Sequence, residues 1–193
     1  MCRTAGDHPE TWALLALMCF HGARLAARTD GAGGLLLLEE QDRSLWDGDL
    51  IARGLGYLSR SATGDTFSRY HAEAAIAAEH CLAPTFAETR WQEVIDLYEI
   101  LERHEPSPLH TLNRAIAVAQ LHGPAAALAI LRDLKPPGWL LGYYLWDAVL
   151  GELERRAGNL ERARRHLQRA FEAAPTHAEK ALIGRRLAAC DGP

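Results

Sequence analysis

The chain has 193 residues, of which 48% are hydrophobic and 24% charged, and a formal net charge of -4. That composition suits an ordinary folded chain with enough length to bury a core, and excludes disordered, collagen-like and disulfide-scaffold proteins. The acidic balance provides no basic field of the kind direct nucleic-acid binders need.

Cys2, Cys19, Cys81 and Cys190 lie far apart and form no C-x-x-C pair, which argues against a zinc site and a short-range disulfide frame. A reducing cytoplasm is the expected location. The apolar stretch Trp12 to Phe20 is too short to span a bilayer and follows the acidic Asp7 and Glu10, so neither a membrane span nor a signal peptide is expected.

In chain order, Asp7, Pro9 and Glu10 open a first helix that keeps Trp12, Leu15, Ala16, Cys19, Phe20 and Ala23 on one face. Gly31 to Leu38, GAGGLLLL, resists a helical reading, because its glycines favour a turn; an ordered, mostly buried connection is expected there. Ser44-Leu45-Trp46-Asp47 has the capping-box pattern and predicts a helix running through Leu58. Thr89-Arg90-Trp91-Gln92 and Thr176-His177-Ala178-Glu179 repeat the device. Ser107-Pro108 and Gly123-Pro124 place proline in a first helical turn, where its missing donor costs nothing. The chain reads as all-α.

A self-similarity close to the 34-residue tetratricopeptide period organises the second half. The most complete copy has Leu150-Gly151 in its first helix, Gly158 at the turn, then Ala163, Leu167 and Ala170, with Pro175 after the second helix. Stepping back 36 residues gives Ala127, Leu131 and Leu134, and a further 33 gives Val94, Tyr98 and Leu101, followed by Pro106. Small residues such as Gly151 and Ala163 are required where the helices of one pair approach closely. The expected architecture is antiparallel helix pairs stacked as a right-handed tetratricopeptide-like array over residues 83–193, ending in an amphipathic capping helix. An N-terminal helical part covers residues 1–82 and packs with the array as one unit.

No P-loop, dinucleotide-binding turn, H-E-x-x-H helix or G-x-S-x-G elbow occurs, so no catalytic residue, metal or cofactor is assigned. The histidines are scattered, and Asp30-Gly31-Ala32-Gly33 lacks the later oxygen ligands of a calcium loop. The dense polar run Glu39 to Asp47 reads as a helix start rich in carboxylates, in which Asp42 and Arg43 pin the GAGGLLLL connection to neighbouring helices. Asn113 and Arg114 interrupt an apolar helix where the concave face of an array lies. They are candidates for peptide contact, or for a buried hydrogen bond and a solvated cation respectively.

The succession HPETWALLALMCFHGARLAART, LLLLEEQDRSLWD, AEAAIAAEH, WQEVIDLYEIL, PSPLHTLNRAIAVAQLHGPAAALAIL and GNLERARRHLQRAFEAAPTHAEKALIGRRL closely resembles the C-terminal extension of a group of bacterial extracytoplasmic-function RNA polymerase sigma factors with tetratricopeptide-like repeats. The likeness covers nearly the whole chain. In that family an acidic D-x-D-G turn precedes the leucine run; here Asp30-Gly31-Ala32-Gly33 stands in its place, and Gly22 where a second acidic residue is usual.

The resemblance implies a regulatory, non-enzymatic module that controls transcription initiation through protein contacts. Its expected partners are the promoter-binding sigma domains in cis or core RNA polymerase, or another regulatory protein, with no direct contact to nucleic acid. The competing expectation is a small-ligand sensor or enzyme whose pocket, between the N-terminal helices and the repeats, is lined by Trp46, His71, Glu73 and Arg114.

Overall fold

The computed structural model describes residues 8–63 and 66–190. Among these residues the chain is all-α, with ten helices and a single isolated antiparallel bridge, between Thr29 and Leu35. No described helix is long and apolar enough to cross a membrane. The chain divides into two compact units, one of residues up to Arg28 with Leu37–Pro106, the other of Thr29–Leu36 with the residues from Ser107 onward. The division falls after Pro106, whereas the sequence pattern places the start of the array at residue 83.

The first unit holds α1 (Pro9–Ala23), α2 (Gly48–Ser61), α3 (Arg69–Leu82) and α4 (Trp91–His104). Pro9 occupies the first turn of α1 as expected, while Asp7 lies outside the described residues. Phe20 of α1 is fully buried against Ala74, Ala77 and Ala78, with Ile51, Leu55 and Leu58 packed around them. Its ring fits because residue 54 is glycine: a Cβ there would stand 2.7 Å from Phe20 Cε1.

Helix α2 starts three residues later than the Ser44 pattern predicts. Asp47 is its cap, accepting from Leu50 N at 2.9 Å, and Asp42 instead closes a separate 3-10 turn, Arg43–Leu45, by accepting from Ser44 N at 2.9 Å and Ser44 Oγ at 2.7 Å. Two carboxylates five residues apart thus each satisfy orphan backbone donors. The predicted Thr89 box does not form either. Thr89 N donates to Phe86 O, which draws the residue inside, and α4 begins without a side-chain cap. Helix α4, which carries Val94, Tyr98 and Leu101 of the repeat pattern, packs against α3.

The second unit holds α5 (Pro108–Leu121), α6 (Pro124–Asp133), α7 (Gly138–Leu141), α8 (Tyr144–Arg156), α9 (Leu160–Ala173) and α10 (His177–Ala188). Two helix pairs dominate, α5 with α6 and α8 with α9. Their connections are so short that each pair must run antiparallel. Both turn through a left-handed glycine, Gly123 at φ 84° and Gly158 at φ 81°, a conformation that disfavours any side chain.

Ala127 and Leu131 of α6, and Ala163, Leu167 and Ala170 of α9, are buried at the repeat positions read from the sequence. After α9, Ala174 adopts extended geometry (φ -63°, ψ 129°), as the residue before Pro175 should. Thr176 and Glu179 then form the expected reciprocal capping box of α10, with Thr176 Oγ1 accepting from Glu179 N at 3.2 Å and Glu179 Oε2 from Thr176 N at 3.1 Å. Ile183 and Leu187 of α10 cover Phe171 and Ala170 of α9.

The GAGGLLLL segment is a tight hairpin in which Gly31 and Gly33 face solvent and Gly34 is half-buried, not a buried connection. Asp30 Oδ1 accepts from Ala32 N at 2.9 Å and Gly34 N at 2.7 Å, and Gly33 takes φ 83°. Leu35 to Leu38 are half-buried. The segment is tied down by Arg185 of α10, which donates to Leu35 O at 2.9 Å. The bonds of Asp42 run instead to Ser44, whose amide and hydroxyl both donate to Asp42 Oδ1 within its own turn.

Candidate functional site

The most unusual chemistry in the first unit gathers around Trp46. Its ring, 8% exposed, carries two guanidinium groups, with Arg43 Cζ 4.4 Å and Arg24 Cζ 5.4 Å from the centroid. Cation–π attraction favours each of them on the face of the indole. Arg24 follows the last residue of α1 and reaches Gln41 Oε1 at 3.4 Å. Arg43 Nη1 donates to His80 O at 2.6 Å and to Ala83 O at 2.8 Å. It therefore serves as a C-cap for α3, delivered from a distant part of the chain, and its charge complements the negative end of that helix.

His80 packs edge-on against Trp91 at 5.5 Å, and Trp91 in turn against Phe86 at 5.0 Å. Burial, then Arg24, Arg43 and His21, lower the His80 imidazole to about 4, so it is neutral at neutral pH. Burial also pushes the neighbouring Cys81 thiol up to about 11, against the pull of Arg24 and Arg43. The group thus holds two permanent cations, a neutral imidazole and a neutral thiol. Among the described residues neither Arg24 nor Arg43 has a carboxylate within ion-pair distance. Arg43 Nη2, Trp46 Nε1 and His80 Nδ1 are sealed from solvent without a hydrogen-bond partner, as is Thr89 Oγ1.

Of the residues singled out from the sequence, Trp46 and Arg43 belong to this centre, and Asp42 and Asp47 frame it as caps. His71 and Glu73 lie near the other end of α3; nine residues of helix separate His71 from His80, about 13 Å along the axis. His71 is committed to structure: its Nδ1 accepts from Ser68 N at 3.1 Å and its Nε2 stands 3.3 Å from Ser61 O. Glu73 lies near Tyr98, whose phenol is pushed up to about 12, first by burial and then by that carboxylate. Trp46 thus contacts Arg24 and Arg43, whereas His71 contacts Ser68, Ser61 and Phe67.

In the second unit Asn113 is exposed and Arg114 half-buried on α5, between the buried Leu112 and Ala115. Gly151 packs against Leu167, Ala163 is fully buried, and Pro175 follows the end of α9. The sequence reading missed a polar seam in the α8–α9 pair. Asp147, 8% exposed, accepts from Arg169 Nη2 at 2.7 Å and lies 2.7 Å from His166 Nδ1. Burial raises its carboxyl, but the hydrogen bonds from His166 and Arg169 outweigh this and leave it below the usual range. Glu154, also buried, accepts from Asn159 Nδ2 at 2.6 Å. A signal was present: Asp147, Gly151 and Glu154 recur at helical spacing, so a face that must pack closely at Gly151 also buries two carboxylates.

Among the described residues no group of three His, Cys, Asp or Glu side chains is placed to hold a metal ion. Residues 1–62 match the model of a family of unknown function, DUF6596. The chain is similar to an uncharacterized protein of Rhizobium meliloti (strain 1021), with 38% identity over 179 residues that cover 93% of this chain and 42% of that protein. The chain therefore spans less than half the length of this relative. No solved structure matches it.

Proposed function

We propose that this chain is a non-enzymatic helical-repeat module that regulates transcription initiation, working with the promoter-binding domains of an extracytoplasmic-function sigma factor or with core RNA polymerase. The observation that carries the reading is the structural use of EEQDRSLWD, one of the segments in the family likeness. Asp42 and Asp47 cap successive turns, Arg43 closes the end of α3, and Trp46 is buried beneath two arginines.

Two helix pairs with left-handed glycine turns support the interaction role, since stacked pairs of this kind present side chains for protein contact. The relative's greater length leaves room for further domains beside the matched part. In a capture experiment at low salt, the immobilised chain retains purified sigma promoter-binding domains or core polymerase from its source bacterium. Retention of neither overturns the proposal.

A further inference from the structure

We infer that the Arg24–Arg43–Trp46–His80 centre is a receptor for one small oxyanion, a carboxylate or phosphate group. This goes beyond the regulatory reading and does not depend on it.

Charge is the first argument. Several arginines elsewhere in the chain have an acidic partner: Arg90 with Glu79, Arg155 with Glu152, and Arg169 with Asp147. Arg24 and Arg43 instead share one indole, with no carboxylate at ion-pair distance among the described residues. Burial lowers the Arg24 guanidinium first and charge repulsion from Arg43 lowers it further, and an anion near both cations converts that cost into attraction.

Hydrogen bonding is the second. Arg43 Nη2 and Trp46 Nε1 are donors only, and Nδ1 of a neutral imidazole is a donor in one of its tautomers. Three sealed donors without acceptors match a group that only accepts. A single trapped water fits less well, because it accepts only two hydrogen bonds and would leave one of the three donors unsatisfied, whereas an oxyanion has acceptor sites for all three. The sealing limits the ligand to a small group. Arg24, held on its polar side by one long 3.4 Å bond to Gln41, is the member free to swing and admit it.

The test is a titration of the isotope-labelled full chain with sodium acetate and, separately, sodium phosphate at constant ionic strength, with chloride as the balancing control. The readouts are the Trp46 indole N–H resonance, assigned by its loss in Trp46→Phe, and the melting temperature. At least one of the two anions should give a saturable shift of that resonance and a higher melting temperature. Acetate alone would identify a carboxylate site and phosphate alone a phosphate site. In Arg24→Gln the apparent affinity should fall about tenfold or more, as loss of one charge-assisted contact implies. The inference is overturned if neither anion gives a saturable shift, if the shift equals that of chloride, or if a folded Arg24→Gln titrates like the parent.

Discussion

Gly151 and Leu167 touch where no larger residue fits: a Cβ on Gly151 would stand 2.6 Å from Leu167 Cγ and 3.1 Å from the Leu167 backbone nitrogen. The leucine tip can rotate, but the backbone of α9 cannot retreat without opening the pair. Gly151→Leu should therefore destabilise the chain by roughly 1–3 kcal/mol through overpacking. Thermal melting checks this, and an unchanged melting temperature would show that α8 and α9 are not in this register. Gly158→Ala, with open space around its Cβ but φ 81°, tests backbone strain alone and should cost about 1 kcal/mol.

His80 makes stability fall with acid in a defined window. Its imidazole titrates at about 4 in the folded chain against 6.5 unperturbed, so the unfolded chain takes up a proton between those values and the folded chain does not. The contribution is fully present above 6.5, declines as pH falls, and is lost once pH passes below about 4, amounting to up to about 3 kcal/mol. Denaturant unfolding across this range, compared with His80→Gln, should show a flatter profile for the variant. Parallel profiles would assign the acid sensitivity to other groups.

Asp147 acts in the same direction at lower pH. Its depressed carboxyl lends stability at neutral pH that disappears as pH falls through the folded value, below the ordinary carboxylate range. Asp147→Asn keeps the shape but removes the charge facing Arg169 and His166, and should cost about 1–3 kcal/mol at neutral pH. The gap between parent and variant should close in strong acid, which melting at two pH values would reveal.

Asp42→Ala should loosen the Arg43–Leu45 turn, because Ser44 loses both its amide and hydroxyl partner. Faster amide exchange is expected at Ser44 and its neighbours, with Leu35 to Leu38 unaffected. Exchange that speeds up at Leu35 to Leu38 instead would restore the pinning role first read from the sequence.

Arg114→Ala separates contact from scaffold. If the half-buried side chain meets a partner, the substitution should weaken capture of the sigma domains or polymerase by about 1–2 kcal/mol with melting unchanged. A loss of several kcal/mol in stability without a specific loss of binding would make Arg114 a structural residue.

Features set by neighbouring residues were legible in advance. The Thr176–Glu179 box, the prolines at 108 and 124 and the small residues facing Leu167 all express local rules of helix starts and close packing. Features that depend on distant partners were not. Nothing adjacent to Arg43 reveals that its acceptors are His80 O and Ala83 O, and nothing near Leu35 names Arg185. The Ser44 and Thr89 patterns failed because competing partners existed: Asp42 claims Ser44, and the Phe86 carbonyl draws Thr89 inward. The centre around Trp46 was legible only as far as Trp46 and Arg43 themselves, since only the fold brings Arg24 and His80 to it.

The tie from Arg43 to the end of α3 also bears on the order in which the chain assembles. Its two bonds span 37 and 40 positions, whereas the Asp147–Arg169 bond spans 22 and the α10 box only three. Closing a longer loop sacrifices more chain entropy before any contact repays it, so nearby contacts form sooner. The α8–α9 pair can thus close by itself, while the last turn of α3 keeps its carbonyls uncapped until the 43–46 turn arrives. In a refolding chain the amides of α8 and α9 gain protection first, and those bracketing Ala83 are among the last.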